Sequence, residues 1–226
     1  MDEPDGHQSA IARHAVILCH PDPGSFNHAV AQAYCDMVAQ CGQAAIVRDL
    51  YAMGFDPVLK ADERPTIPGF QPSPDVIDEH LLLQGADIFV LVYPIWFGTP
   101  PAMLKGYVDR VLGAGVDPKA IQSRERRGLL SGKRLVSFST SAASAAWLDE
   151  QGERRSLRDV FDRYLARAFS MRSEEHVHLA PIVPGMSKRF ADEHLFTVQE
   201  NARRICSRLL IERRPGLVRQ PRLVQI

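Results

Sequence analysis

The 226-residue sequence has no excess of charge of either sign, because 27 Lys and Arg balance 27 Asp and Glu and the pI is near 7.1. A neutral chain gives no electrostatic reason to expect nucleic acid or an anionic membrane surface as a partner. The longest weakly charged stretch, residues 86–111, is interrupted by Asp87 and three prolines. A membrane span needs about 20 apolar residues in a row. We therefore predict neither nucleic-acid binding nor a membrane-spanning segment.

Cysteine is also scarce, with Cys19, Cys35, Cys41 and Cys206 as its only occurrences. Their spacing matches neither a metal site nor a redox pair, so we predict buried free thiols and no metal. Residues 1–8 are acidic and polar and contain no apolar segment of the kind that a secretory signal requires. These features favour a cytoplasmic protein.

Two common phosphate-binding motifs are absent from the loop between the first predicted strand and helix, residues 20–27. It contains neither Gly-x-Gly-x-x-Gly nor Gly-Lys-Ser/Thr. It does lead into a helix whose first N–H groups are free to bind an anion, with Ser25 and Asn27 as further donors. Ordinary capping of the helix by Ser25 is the alternative interpretation.

The central feature of the sequence is the stretch from Ala86 to Val111. Residues Ile88–Tyr93 form an unbroken apolar run, which is typical of a strand buried on both faces of a parallel sheet. Pro100 and Pro101 then mark the first turn of a helix whose apolar residues recur at helical spacing. The loop between them, residues 95–99, contains Trp96 and Phe97, and loops at this edge of an open α/β sheet bind ligands.

Further strands are predicted at 14–19, 44–47, 134–140 and 177–183, each separated from the next by a helical pattern or a loop. This alternation predicts an α/β fold, a doubly wound five-stranded parallel sheet. We expect a flexible segment at 1–12, one domain at 13–212 and a basic extended tail at 213–226. The charged cluster at 124–127 is expected to be a solvated surface.

Two motifs carry a resemblance. The segments His20-Pro-Asp-Pro-Gly-Ser-Phe-Asn27 and Tyr93-Pro-Ile-Trp-Phe-Gly-Thr-Pro-Pro-Ala-Met-Leu-Lys-Gly-Tyr-Val-Asp-Arg110 resemble the NAD(P)H:quinone oxidoreductase family of flavodoxin-like flavoproteins. Residues 49–57 and 128–134 are similar to that family as well. The resemblance implies a flavodoxin-like fold with strand order 2-1-3-4-5, a homodimer, bound FAD or FMN, and NAD(P)H as co-substrate.

The resemblance also assigns roles by position. The flavin phosphates would be held by His20, Ser25, Phe26 and Asn27. The isoalloxazine ring would be lined by Pro94, Ile95, Trp96 and Phe97, which would also donate backbone N–H groups. Its other edge would be bordered by Thr140, Ser141 and Ala142.

Departures from the family pattern follow the fourth strand. Family members often have glycines where this chain has Ser141, Ala142 and Ala143. Some also place a tyrosine and a histidine soon after, to relay a proton to the quinone. Here Trp147 stands near the tyrosine's place, and no histidine occurs between His80 and His176. The sequence therefore predicts no relay of that kind, which also weakens the case for a quinone as acceptor. Trp147 is either a wall of the substrate pocket or a core residue.

The leading functional prediction is a flavin-dependent oxidoreductase. It would pass hydride from NAD(P)H to a quinone-like, azo or nitroaromatic small molecule by a ping-pong mechanism. A flavin-binding ancillary subunit of a cation efflux system remains an alternative. A flavodoxin-like electron carrier is another, although such carriers tend to be smaller and acidic.

Overall fold

The computed structural model describes residues 11–117, 119, 121 and 128–213. Its sheet consists of β1 (Arg13–Leu18), β2 (Ala44–Asp49), β3 (Ile88–Pro94), β4 (Arg134–Thr140) and β5 (Ser173–Leu179). All the strand pairs are parallel, and their order is β2-β1-β3-β4-β5. The predicted architecture and strand order are confirmed. The N-terminal segment to residue 10, the cluster at 124–127 and the tail from 214 lie outside the described residues.

Helices alternate with these strands. The helices are α1 (Phe26–Gln40), α2 (Pro74–Leu83), α3 (Ala102–Tyr107), α4 (Ala145–Glu150), α5 (Glu153–Leu157), α6 (Tyr164–Ala168) and α7 (Lys188–Arg213). A π-helical segment, Val108–Leu112, continues α3, and another, Arg158–Arg163, joins α5 to α6. A short 3-10 helix, Ala61–Glu63, lies between β2 and α2.

The sheet is covered on both faces, as its apolar strands require. Every residue of β3 is buried. Apolar residues of α1 and α7 pack on one face of the sheet, and those of α2, α3, α5 and α6 pack on the other. This arrangement leaves the loops at the carboxyl ends of β1, β3 and β4 together at one edge, where parallel sheets bind ligands.

The position predicted for the fifth strand is wrong by four residues. The prediction was 177–183, whereas β5 spans Ser173–Leu179 and pairs along its whole length with β4. Its first half contains Glu174, Glu175 and His176, which interrupt the apolar pattern. These polar side chains are partnered by arginines and an aspartate from the covering helices, so the strand tolerates them.

Several smaller predictions also need correction. Pro101 is the N-cap of α3 rather than part of its first turn. Ala12 is buried in the core, and Arg213 ends α7. All four thiols are free, as predicted, but only Cys19 and Cys206 are buried, whereas Cys35 is half-buried and Cys41 is exposed.

Candidate functional site

Direct contacts join the three loops at the carboxyl edge of the sheet. The ring of His20, after β1, lies edge-on to Trp96, after β3, with 5.8 Å between ring centroids. The Asn27 side-chain amide donates to the Thr140 hydroxyl at 3.1 Å, and the Ile95 N–H donates to the Thr140 carbonyl at 2.7 Å. The end of β4 therefore fixes the positions of the other two loops relative to each other.

The N-terminus of α1 has no side-chain cap. Ser25 occupies the N-cap position with extended backbone angles, but its hydroxyl bonds the His28 ring at 2.9 Å instead of a helix N–H. The other ring nitrogen of His28 lies 3.0 Å from the Asp49 carboxylate. Ordinary capping by Ser25 is therefore the wrong interpretation. The His28 N–H donates to the Ser25 carbonyl at 3.0 Å, so the first two N–H groups of this 15-residue helix stay available to an acceptor such as a phosphate oxygen.

The loop after β3 is a tight turn with an aromatic tip. Trp96 and Thr99 exchange two backbone hydrogen bonds of 3.0 and 3.1 Å, while Phe97 and Gly98 both have positive φ. A positive φ is a genuine outlier for a residue as large as Phe97, and such strain is concentrated at functional sites. Phe97 is fully exposed and Trp96 is 40% exposed. Trp96 is therefore not a core residue, and both rings are available to a ligand.

One part of the predicted ring contact is wrong. The sequence assigned backbone N–H donors to Pro94, Ile95, Trp96 and Phe97. Proline has no N–H, and the N–H groups of Ile95 and Trp96 already donate to Thr140 and Thr99. These internal bonds shape the turn, so the remaining N–H donors on this loop are those of its tip. Pro94 is buried at the end of β3, and Ile95 is half-buried.

The predicted phosphate-side residues occupy different environments. His20 is partly exposed at the edge, and burial lowers its pKa. Asn27 is 3% exposed and is engaged with Thr140, which is also buried. The Phe26 ring packs towards α7, with its centroid 6.2 Å from that of His194. Its backbone rather than its ring is therefore the part of Phe26 that lies at the helix start.

The loop after β4 combines one buried and one exposed predicted residue. The Ser141 hydroxyl donates to the Ala143 carbonyl at 2.8 Å and also contacts the His178 ring at 3.0 Å. Ala142 is exposed. Trp147 on α4 is 48% exposed, so the core-packing alternative does not hold for it.

Sequence reasoning missed a polar network directly beneath this loop. It consists of Asp162, His176, Ser139, His178 and Ser141, joined by successive hydrogen bonds. The sequence contains a usable signal: serines at every second position of β4 and histidines at every second position of β5 point to one face. The predicted fifth strand, 177–183, excludes His176, so the sequence did not place the two histidines on one strand.

Across residues 11–117 and 128–213, His, Cys, Asp and Glu side chains do not cluster in the threes that hold a metal ion. Within the same ranges, no helix combines the length and hydrophobicity that crossing a bilayer requires.

The residues present fit a flavin nucleotide. The uncapped start of α1 suits an anionic phosphate, and the exposed Trp96 and Phe97 suit a flat ring. The two features belong to loops that the His20–Trp96 contact brings together.

Comparison with known proteins agrees with this geometry. The family model described as flavodoxin-like fold (Flavodoxin_2) matches residues 12–202. An NAD(P)H oxidoreductase of Haemophilus influenzae is 35% identical over 145 residues, which cover 64% of this chain and 71% of that protein. The match to NAD(P)H dehydrogenase [quinone] 1 of Rattus norvegicus is 29% identical and covers 61% of this chain and 57% of that protein. The chain thus spans little more than half the length of some relatives.

A solved structure shows the same fold. The NAD(P)H:quinone oxidoreductase of Methanothermobacter marburgensis superposes with a TM-score of 0.73 at 22% identity, covering 86% of this chain and 96% of that one. The fold, the two loop motifs and the matched family model agree. The chain therefore belongs to the flavodoxin-like family that includes the NAD(P)H:quinone oxidoreductases, as its two motifs predicted.

Proposed function

We propose that this oxidoreductase binds FMN or FAD at the edge formed by the three loops and transfers hydride from NAD(P)H to an aromatic small molecule. Quinone-like, azo and nitroaromatic compounds are the acceptor classes, and a ping-pong order lets NAD(P)H and acceptor use one site in turn. The observation that carries the proposal is the uncapped start of α1 beside an exposed aromatic turn. The names of the relatives above support this proposal. So does the name of a structural neighbour, an FMN-dependent NADH-azoreductase of Bacillus anthracis, which has a TM-score of 0.60 at 16% identity.

A bound flavin would supply the hydride chemistry, and the chain would supply binding and electrostatics. The first N–H groups of α1, with Ser25 and His20 nearby, would hold the phosphates. Trp96 and Phe97 would cover the ring and exclude water from it. Thr140 would keep the loops in register through its bonds to Asn27 and Ile95.

The direct test is titration of the purified protein with FMN and with FAD, followed by anaerobic bleaching with NADH and with NADPH. We expect binding at micromolar or lower Kd, bleaching by at least one nicotinamide, and recovery of colour on adding an acceptor. A protein that ignores both flavins would overturn the proposal. Flavin binding without bleaching would favour the ancillary-subunit alternative.

The same titration tests the aromatic turn. Replacing Trp96 by alanine should weaken flavin binding by roughly 1–3 kcal/mol, through lost ring contact and buried area. Because Trp96 is 40% exposed, the apoprotein should melt nearly as the wild type does. Phe196→Ala is the matched control, since Phe196 is an exposed aromatic residue on α7, outside the three loops. Equal flavin affinity in the two variants would remove Trp96 from the site.

We also propose a homodimer, supported by an uncovered apolar surface. Val160 is 70% exposed, and with Tyr164 it lines a groove of about 300 Å³ between α3 and the α5–α6 region. Val160→Glu should shift the protein from dimer to monomer in sedimentation velocity at micromolar concentration. Leu81→Glu, at an exposed position of α2, is the control. A wild-type protein that sediments as a monomer would contradict the proposal.

The four free thiols support the cytoplasmic location that the sequence favours, and we propose it on that basis.

A further inference from the structure

A continuous chain of hydrogen bonds lies on one face of β4 and β5. Asp162, at 0% exposure, accepts from the Ser137 hydroxyl and from Nδ1 of His176, both at 2.5 Å. Nε2 of His176 lies 2.7 Å from the Ser139 hydroxyl, which lies 2.8 Å from Nδ1 of His178. Nε2 of His178 reaches Ser141 at 3.0 Å, next to the proposed flavin edge.

The hydrogen positions along this chain can be deduced by counting donors. The Asp162 carboxylate accepts, so Nδ1 of His176 carries a hydrogen. If His176 is neutral, its Nε2 accepts from Ser139, and Ser139 in turn accepts from Nδ1–H of His178. Nε2 of His178 must then accept from the Ser141 hydroxyl. Every bond points towards Asp162, and His178 is the Nδ1–H tautomer.

A second arrangement contains one more proton. If His176 is an imidazolium, its Nε2–H donates to Ser139, and Ser139 donates to Nδ1 of His178. Nε2–H of His178 then donates to Ser141, whose own hydrogen goes to the Ala143 carbonyl, 2.8 Å away. Every bond beyond His176 has reversed. His178 remains neutral but is now the Nε2–H tautomer.

We propose that this chain stores one proton on His176, opposite Asp162, and delivers it to the reaction site through Ser141. The proposal rests on the proposed function. Reduction of a quinone-type acceptor requires two electrons and two protons, and the hydride that originates from NAD(P)H carries both electrons and one proton. The second proton leaves the Ser141 hydroxyl for the acceptor oxygen, and each hydrogen behind it moves one place. The Nε2–H bond of His176 breaks last, which restores the neutral arrangement.

The charges around this chain of hydrogen bonds favour holding a proton at His176 and passing it through His178. Burial, followed by the His176 charge, lowers the pKa of His178 to about 4, so that His178 passes a proton without becoming charged near neutral pH. Arg154, Asp149 and His194 are the other groups that act on it from α5, α4 and α7. His176 instead contacts the Asp162 carboxylate. Tyr93 lies beside that carboxylate, and burial followed by the charge of Asp162 raises its pKa.

Solvent can refill the chain from its storage end. His176 lines an open cavity of about 280 Å³ that extends from Ile95 to α5. Its other charged lining groups are Asp149, Arg154, Arg155, Arg158, Asp159 and Arg163. A proton taken up at His176 and released at Ser141 therefore enters and leaves at different places. The net reaction consumes NAD(P)H, one proton and the acceptor, and gives NAD(P)⁺ and the reduced acceptor.

The test is a nitrogen-15 NMR titration of the histidine side chains in the flavin-free full-length protein. We expect His178 to change from the Nδ1–H to the Nε2–H tautomer as His176 becomes protonated, without becoming charged itself. Ser139→Ala should uncouple the two histidines, and Ser139→Thr should restore the coupling. Ser137→Ala is the matched control, because it removes a buried hydroxyl of the same strand that bonds Asp162 and does not lie between the two histidines, so their coupling should remain. One fixed His178 tautomer throughout the wild-type titration would overturn the proposal, whatever the variants do.

The flavin-loaded enzyme gives a second, separate measurement. In stopped flow, Ser139→Ala should slow the acceptor half-reaction on the order of 100-fold, the size expected for lost proton transfer, and leave bleaching by NAD(P)H near the wild-type rate. Equal slowing of both half-reactions would indicate a structural role instead. A protein that binds no flavin would refute the proposed function, whereas the tautomer measurement would still decide on the proton chain.

Discussion

Replacement of Arg110 by alanine should lower the free energy of unfolding by about 3–5 kcal/mol, because it leaves a buried carboxylate without its partner. The Arg110 side chain is 1% exposed and bonds both carboxylate oxygens of Glu63 at 2.6–3.1 Å. It also donates to the Asp56 carbonyl at 2.6 Å and contacts Asp75 at 2.9 Å. Arg110 thereby anchors the proline-rich excursion between β2 and α2, residues 55–73, to the helical layer.

The loss should depend on pH with a defined sign. The hydrogen bonds from Arg110 are the main cause that lowers the pKa of Glu63 from 4.5 to about 2. A lowered native pKa stabilises the folded protein fully above pH 4.5, and this contribution disappears as the pH falls towards 2. Wild type and Arg110→Ala should therefore differ most at pH 7, differ less at pH 3 and converge only as the pH falls through about 2.

Urea unfolding at pH 7 and pH 3 measures both effects. Lys105→Ala is the matched control, because Lys105 forms an exposed pair with Asp109 and should cost at most about 0.5 kcal/mol. If Arg110→Ala lost no more stability than Lys105→Ala at pH 7, the excursion would be held by its apolar contacts alone.

The central strands were predictable because burial on both faces leaves an unbroken apolar run. Ile88–Pro94 and Arg134–Thr140 differ from their predicted spans by at most one residue for this reason. The family and the strand order were predictable because the two loop motifs resemble those of a known family. The apolar residues at helical spacing after Pro101 include Leu104 and Tyr107, and both are buried in the core.

The features that the sequence did not predict depend on contacts between residues that lie far apart along the chain. The Ser25 hydroxyl has the chemistry of a cap, and only the fold reveals that it bonds the His28 ring instead, while the other nitrogen of that ring contacts Asp49. The N–H of Ile95 donates to the carbonyl of Thr140, which lies 45 positions later in the sequence. The prediction placed β5 incorrectly because the polar residues of this strand pair with residues of the covering helices. The sequence alone does not position those helices.

Replacement of Asn27 by aspartate should weaken flavin binding on the order of 100-fold while the apoprotein stays folded. The variant places a carboxylate at the second residue of α1, beside the proposed phosphates. At ~4–6 Å and an effective dielectric of about 20, repulsion between the two charges is about 3 kcal/mol. The fold should tolerate the change, because the Thr140 hydroxyl already lies 3.3 Å from the Asn27 carbonyl oxygen and can donate to a carboxylate there.

The chain offers a matched control, since Asn201 on α7 is its other asparagine. Asn201→Asp makes the same chemical change beside Arg204, whose guanidinium donates to the Asn201 oxygen at 2.8 Å. Flavin titration of both variants at low salt, with melting of both apoproteins, separates binding from folding. We expect loss of affinity for Asn27→Asp alone. Equal affinities would move the phosphates away from α1, and an unfolded Asn27→Asp apoprotein would show that the Asn27–Thr140 contact maintains the fold.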